Sequence, residues 1–512
     1  MVTTPHVLAS EAGAKVLQAG GTAIEAVVAA GAVLSVVYPH FCGLGGDAVW
    51  LVADGDGAAT CFLGIGQAAE MLPDFGADEA ISVRGPLSML TGAGLVDSWR
   101  CVLEHSAARW AGRLTLPALL DDAISLAADG FDASSSQAFW HGFRAREAAD
   151  WPGFSQTFVA RGLQRQPALA RSLDQIARNG ARDAYEGELA ASLAKGLAAA
   201  GSPLTARDLA RTRTREGPPL SLAYRDHRLL APPPPTQGVT TLAIMGILRE
   251  LGPSPAGIEG ADLYHRLVEA VKQAFLDRGG IGDPDFETVS PAECLDPIRL
   301  AMKAAAIDPA RATSWPHRFQ TGDTAFLGAV DAKGRCVSML QSTYFDWGSG
   351  WLVGDTGILW HNRGAAFSLD RGSANALQPG KRPFYTLNPG IALRNGRPSL
   401  LYGTQGADGQ PQTLSLLLSL IIDRGLDPLA ALSQPRFLLG RTFSDSRDTL
   451  KIEANAGATV VRDLAARGHD ISTIESFSPL GGQAGIIHIA ADGSIAGAHD
   501  PRSDGCAIGV GS

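Results

Sequence analysis

Thr321-Gly322-Asp323-Thr324-Ala325-Phe326-Leu327-Gly328-Ala329-Val330-Asp331 is the stretch on which the reading of this chain turns. A small polar turn runs straight into an apolar strand, so Thr324 stands at the strand's first position, held by whatever the strand pairs with. A turn at Ala332-Lys333-Gly334 and a second apolar run, Cys336 to Thr343, complete a β-hairpin. A threonine in that place has a chemical use. If the Asp323–Thr324 bond is cut, Thr324 gains a free α-amine that can take the proton from its own hydroxyl, so one residue supplies nucleophile and base. Taken alone, Gly-Asp-Thr before a strand more often just starts the strand.

Working outward, the composition bounds the possibilities. A chain of 512 residues is long for one core, although layered α/β enzymes of this size stay single units. The 45% of apolar residues and the 60 glycines suit a tightly packed protein with close turns, and argue against disorder. A net charge of −9 disfavours nucleic acid and anionic membrane as partners. The six cysteines, Cys42, Cys61, Cys101, Cys294, Cys336 and Cys506, contain no CxxC pair, so neither a zinc site nor a disulfide framework is expected. No apolar run approaches ~18 residues, and Ala26 to Val37 is too short for a signal and lacks a basic leader. No membrane span, no cofactor and no metal are expected, and a cytoplasmic placement is.

Before the hairpin the pattern is largely helical. Val7 to Val37 reads as two helices broken at Gly20-Gly21. Val49 to Ala53 reads as a strand, and Leu116 to Ala128, Ala168 to Asn179 and Ala184 to Ala199 read as amphipathic helices. Pro232 to Pro235 is rigid and extended and leads into a helix from Val239 to Leu251. From Pro284 to Gln320 the period is lost while Pro, Asp and Arg gather, as in a connector free to move. No repeat with a period of ~20 to 50 residues is present, which excludes a solenoid.

Around Thr324 and at both ends, an ordered set of motifs resembles the γ-glutamyltranspeptidase family of self-processing N-terminal nucleophile hydrolases. The set comprises Thr4-Pro5-His6 through Gly13, Gly20 through Ala26, Pro39 through Asp47, Glu269 through Arg278 with Gly282-Asp283-Pro284, the Thr324 strand, Gly380-Lys381-Arg382-Pro383, Gly403-Thr404-Gln405-Gly406, and Asp500 through Gly505. It covers nearly the whole chain and begins almost at Met1, which leaves open an upstream start or a missing edge strand. The resemblance implies an α+β fold, the four-layer αββα sandwich. It also implies cleavage at Asp323–Thr324 into segments 1–323 and 324–512, which together form one compact unit as a heterodimer.

The resemblance also distributes roles. Thr324 is the nucleophile, and Ser342 on the hairpin hydrogen-bonds its amine or hydroxyl, a strand serine facing water being the alternative. Gly406 and Ala407 occupy the oxyanion-hole pair. Small residues there let backbone N–H groups approach a ligand ahead of a helical run from Thr413 to Ile422, and alanine keeps its N–H. The proline turn at Pro232–Gly238 lies beside the active site.

Departures from the family bear on the substrate. The stretch that carries the family's acidic pair reads Arg363-Gly364-Ala365-Ala366-Phe367-Ser368, and Gly64 to Ala69 holds no cation where the family has an arginine. The family's serine pair is Tyr385 and Thr386, and its hairpin asparagine is Tyr344. The clamps for an α-amine and an α-carboxylate are thus dismantled, while Arg363 adds a cation suited to a carboxylate. This pattern is most similar to the branch of the family that contains an oxamate amidohydrolase. The expected substrate is a small carboxylate-bearing amide, with Arg363, Tyr344, Tyr385 and Thr386 lining its site. Arg382 and Arg502 are rival cations, and an ion pair of Arg363 with Asp370 or Asp346 is the structural alternative. Competing readings are a γ-glutamyl hydrolase or transferase acting on glutathione, and a scaffold that never cuts itself. A dinucleotide enzyme built on Gly43-Leu44-Gly45-Gly46 is disfavoured by the missing GxGxxG and the helical segment before it.

Overall fold

Alternation along the hairpin decides the layers. In the computed structural model, Phe326 and Val330 join one apolar cluster with Val49, Leu51 and Leu340. Ala325, Leu327 and Ala329 join another with Val28, Val33 and Trp50. A period of two sends successive side chains to opposite faces, so both faces of the Asp323–Val330 strand are covered. The structure describes residues 1–76, 80–253, 259–315, 323–441 and 447–511, with only the backbone of Asp323. Thr321, Gly322 and residues 316–320 of the connector lie outside them.

The strand belongs to a seven-stranded antiparallel sheet ordered Cys506–Ile508, Val2–Thr4, Asp323–Val330, Cys336–Tyr344, Asp47–Ala53, Ala59–Gly64, Arg215–Gly217. A second, six-stranded antiparallel sheet runs Ile495–His499, Ala484–Ile489, Arg397–Thr404, Gly390–Arg394, His227–Ala231, Leu220–Tyr224. Val49, Leu51 and Phe326 of the first sheet meet Leu230, Ile391, Leu401 and Ile487 of the second. Helix Ala23–Val37 packs on the outer face of the hairpin, and Gly238–Glu250 and Gln410–Leu418 cover the second sheet. This is the expected αββα sandwich. Both sheets combine strands from before and after Thr324: Val2–Thr4 lies between Cys506–Ile508 and Asp323–Val330 in the first, and His227–Ala231 pairs with Gly390–Arg394 in the second.

The two N-terminal helices are Val7–Gln18 and Ala23–Val37. The second starts on a reciprocal cap in which Thr22 Oγ1 accepts the Glu25 N–H at 3.2 Å and Glu25 Oε2 accepts the Thr22 N–H at 2.7 Å. The single helix expected over Ala184 to Ala199 is two, Asp183–Glu186 and Glu188–Ala200. The Asp183 carboxylate turns back to accept the Glu188 and Leu189 N–H groups at 3.2 and 3.3 Å, restarting the helix after Gly187. The glycines at 43–46 serve close packing: a Cβ on Gly46 would lie 2.6 Å from the Ser342 carbonyl oxygen, and one on Gly45 would strike that of Leu359. All six cysteines are free. Among the described residues no helix is long and apolar enough to cross a membrane.

The connector corrects the expectation of a loose segment. Pro291–Cys294 and Pro297–Ala305 are helical, because proline in a first turn starts a helix and the Asp296 side chain accepts the Arg299 N–H at 2.9 Å. Downstream, the backbone of 308–313 is pinned to helix Ala261–Phe275. His265 Nε2 donates to the Asp308 carbonyl (2.8 Å), Glu269 accepts the Thr313 N–H (3.1 Å), and Lys272 donates to the Thr313 carbonyl (2.6 Å). His265, Glu269 and His469 hold ligand-type atoms within 4.8 Å of one another. The pair of imidazoles is joined at 2.8 Å and Glu269 is bonded to Lys272 at 2.6 Å, so the cluster is already committed to this anchor.

Candidate active site

Thr324 is 1% exposed and shares the face of Phe326, the one turned to the second sheet. Opposite it the ladder slips: Gln341 pairs with Ala325 and Tyr344 with Asp323, leaving Ser342 and Thr343 across from Thr324 in a bulge. Ser342 is buried, not facing water, and its Oγ accepts the Tyr344 N–H at 2.7 Å. Tyr344 takes φ 81°, a left-handed conformation costly for an aromatic residue. A bulge of this kind re-aims a side chain beside a site.

The loop between strand Arg397–Thr404 and helix Gln410–Leu418 also carries strain. Gly406 has φ 121° and Ala407 φ 43°. Gln410, the first residue of the helix, donates from Nε2 to Thr324 Oγ1 at 3.4 Å, bringing the loop and helix N-terminus to the threonine hydroxyl. Behind the loop, Gln237 Nε2 donates to the carbonyls of Ala407 (2.7 Å) and Thr386 (2.6 Å). The Gln237 N–H donates to the Tyr385 carbonyl at 2.9 Å, and the Tyr385 N–H to that of Pro235 at 2.8 Å. The proline turn thus stitches the Tyr385-Thr386 segment to the loop. Arg278 grips Asp408 through both guanidinium nitrogens, one contact at 2.8 Å. Sequence reasoning missed Gln237 and Gln410, since a lone glutamine beside glycine or proline carries no periodic signal.

Arg363 is fully buried, its guanidinium carbon 4.0 Å from the ring centre of Tyr344 and 4.4 Å from that of Tyr385. Its Nε, Nη1 and Nη2 have no hydrogen-bond partner among the described residues. The backbone is fixed, because the Arg363 N–H donates to His361 Nδ1 at 3.1 Å while the other ring nitrogen donates to the Gly92 carbonyl at 3.1 Å. The Tyr385 hydroxyl donates to Asp47 Oδ2 at 3.1 Å, and Asp47 Oδ1 accepts the Gly94 N–H at 3.0 Å. Burial pulls the Arg363 pKa below its ordinary value and pushes that of Tyr385 well up, the Asp47 charge adding to the latter.

The alternatives for Arg363 fall away. Asp346 is held by Arg84 (2.9 Å) and Arg144 (2.6 Å), and Asp370 accepts the Gly372 N–H of its own exposed turn at 2.9 Å. Arg382 pairs with Asp283 and Asp285, and Arg502 with Glu453 and Asp500. Of the three arginines weighed, Arg363 alone has a guanidinium without an acid partner among the described residues. Ala366 packs against Tyr344 and Phe345, so no carboxylate stands there to receive an amine.

A strand-borne threonine facing a glycine-rich loop at a helix N-terminus, inside an αββα sandwich, is the frame of an N-terminal nucleophile hydrolase. The family model described as gamma-glutamyltranspeptidase matches residues 9–510. The chain belongs to the gamma-glutamyltranspeptidase family. Within it, an oxamate amidohydrolase proenzyme of Klebsiella pneumoniae is 42% identical, over 99% of this chain and 98% of that protein. A glutathione hydrolase-like proenzyme of Bacillus subtilis is 37% identical, over 100% and 98%. The solved structure of a cephalosporin acylase from Bacillus halodurans superposes with a TM-score of 0.89 at 30% identity, covering 98% of this chain and 94% of that one. Like these transpeptidase-family relatives, the chain is a self-processing amidohydrolase or acyltransferase of the N-terminal nucleophile type.

Proposed function

We propose that this enzyme cuts itself before Thr324 and then hydrolyses a small primary amide that carries a carboxylate, with oxamate as the model substrate. The observation that carries the reading is the buried guanidinium of Arg363, with three polar atoms open between two tyrosine rings. A buried charge left unpaired is costly, and a planar carboxylate matches an arginine fork in shape and sign. The 42% identity to an oxamate amidohydrolase proenzyme supports the same substrate.

The chemistry follows from the positions. In the precursor, Thr324 Oγ attacks the Asp323 carbonyl, the peptide nitrogen departs as the new α-amine, and water hydrolyses the resulting ester. In the mature enzyme, Oγ attacks the substrate's amide carbon and passes its proton to the α-amine. The oxyanion is received by the N–H groups of Gly406 and Ala407, and Ser342 orients the nucleophile. The C–N bond breaks, the α-ammonium returns the proton to the departing ammonia, and water releases the acid from acyl-Thr324. Arg363 holds the carboxylate, and Tyr344, Tyr385 and Thr386 wall the site.

The γ-glutamyl reading is weaker here because neither Ala365-Ala366 nor Gly64 to Ala69 offers a charged partner for an α-amine or α-carboxylate. Unpaired charges in a closed site lower specificity by ~10³ or more. Steady-state ammonia release from oxamate and anilide release from a γ-glutamyl anilide decide between them. Comparable turnover of the two sinks the proposal, and a chain that stays whole and inert on both would instead fit the scaffold reading.

A further inference from the structure

Two glutamines stand two residues apart in the first turn of helix Gln410–Leu418, both fully buried, and they are used differently. Gln412 is spent on the fold: its Nε2 donates to the carbonyls of Asp408 and Leu439, each at 3.2 Å, and its Oε1 accepts the Leu439 N–H at 2.8 Å. Gln410 Nε2 instead points to Thr324 Oγ1 at 3.4 Å, and its Oε1 has no partner among the described residues. A buried acceptor without a donor is costly, and beside a reactive hydroxyl it calls for a ligand that brings one.

We propose that Gln410 is a further catalytic residue, one that reads the amide nitrogen of the substrate as it leaves. The inference rests on Thr324 being the nucleophile. When Oγ bonds to the amide carbon, the departing nitrogen is one bond from that carbon, within reach of a side chain that already touches Oγ. A primary amide presents two N–H donors there, and Gln410 Oε1 accepts one while Nε2 steadies the hydroxyl. As the C–N bond breaks and the nitrogen takes its proton from the α-ammonium, it remains a donor, so the contact lasts through the transition state. An ester places oxygen at that position and brings no donor. Gln410 therefore selects primary amides over esters of the same acyl group.

The test compares wild type, Gln410→Leu and Gln410→Glu, each shown by mass spectrometry to be cut before Thr324, on oxamate and on monomethyl oxalate. Gln410→Leu, which loses the Nε2 contact to the hydroxyl on both substrates, should lose at least ten-fold more in kcat/KM on the amide than on the ester. Gln410→Glu, which keeps an acceptor, should hold the amide-to-ester ratio within about three-fold of wild type. Equal losses of Gln410→Leu on both substrates indicate a structural role and overturn the proposal, as does an unchanged amide rate. If Gln410→Leu stays uncut, Gln410→Glu carries the test, and a ten-fold fall in its ratio overturns the proposal. Cleaved wild-type protein that turns over neither compound refutes the oxamate reading alone. The same ratio is then taken on glutamine and glutamate γ-methyl ester, with the same outcomes deciding.

Discussion

The guanidinium of Arg363 lies over the ring of Tyr344, 4.0 Å from its centre, and Tyr344 reaches that position only by taking φ 81° at the hairpin bulge. The local strain is answered by the stacking of a cation on an aromatic face. Arg363→Met, in protein shown by mass to be cut, should lower kcat/KM on oxamate by ~10² or more, since loss of a charge-assisted partner costs about 2 to 5 kcal/mol. Unchanged kinetics would remove Arg363 from the site.

Cleavage at Asp323–Thr324 should give fragments of 323 and 189 residues. Intact-mass measurement at neutral pH should find the smaller one beginning at Thr324. Thr324→Ala should remain one chain, and Thr324→Ser should cut and work to a reduced degree because hydroxyl and amine both persist. A fully active uncut chain would refute the assignment.

Ala407 sits at φ 43°, where a Cβ is penalised and glycine is not. Ala407→Gly should raise unfolding stability by about 0.5 to 1 kcal/mol, the relief of strain outweighing the added freedom of the unfolded chain. Urea denaturation in the Thr324→Ala background, expected to stay one polypeptide, measures this directly. A loss of stability would show that the loop tolerates the methyl group without cost.

Burial holds the imidazoles of His6, His469 and His499 at pKa values of about 4, 3 and 4. In an unfolded chain they titrate near 6.5. Below pH 6.5 the unfolded state binds protons that the folded state refuses, so their contribution is complete above 6.5 and drains away as the pH falls toward 4. The three together account for several kcal/mol on this scale. Thermal scans should show Tm falling between pH 7 and pH 5, and a Tm at pH 5 equal to that at pH 7 would contradict the assignment.

The hairpin, the paired N-terminal helices and the helix after Gln237 were legible because each repeats a period of two or 3.6 over enough residues to outvote local exceptions. The split at Gly187 was not, since it depends on Asp183 folding back to cap the next turn. The connector misled because Pro291 and Pro297 read as breakers when each opens a helix. In the site, Thr324, Gly406 and Arg363 carried a recognisable context. The roles of the partners that place them did not: Gln237 and Gln410 act through individual side-chain contacts, and Asp47, although the last residue of the Pro39–Asp47 motif, acts through a phenol 338 positions away. Such relations belong to the sandwich and leave no periodic trace in the chain.

The sharing of both sheets between strands from either side of Thr324 changes what maturation means for the molecule. In the uncut chain the two portions stay tethered at high effective concentration, so refolding is a unimolecular event. If the bond before Thr324 is cut as proposed, neither piece keeps a complete sheet, and renaturation requires two diffusing chains to meet. A cut that frees the Thr324 amine would therefore turn a protein stable by equilibrium into one stable by the height of its unfolding barrier. Its working life is set by how seldom the sheets open.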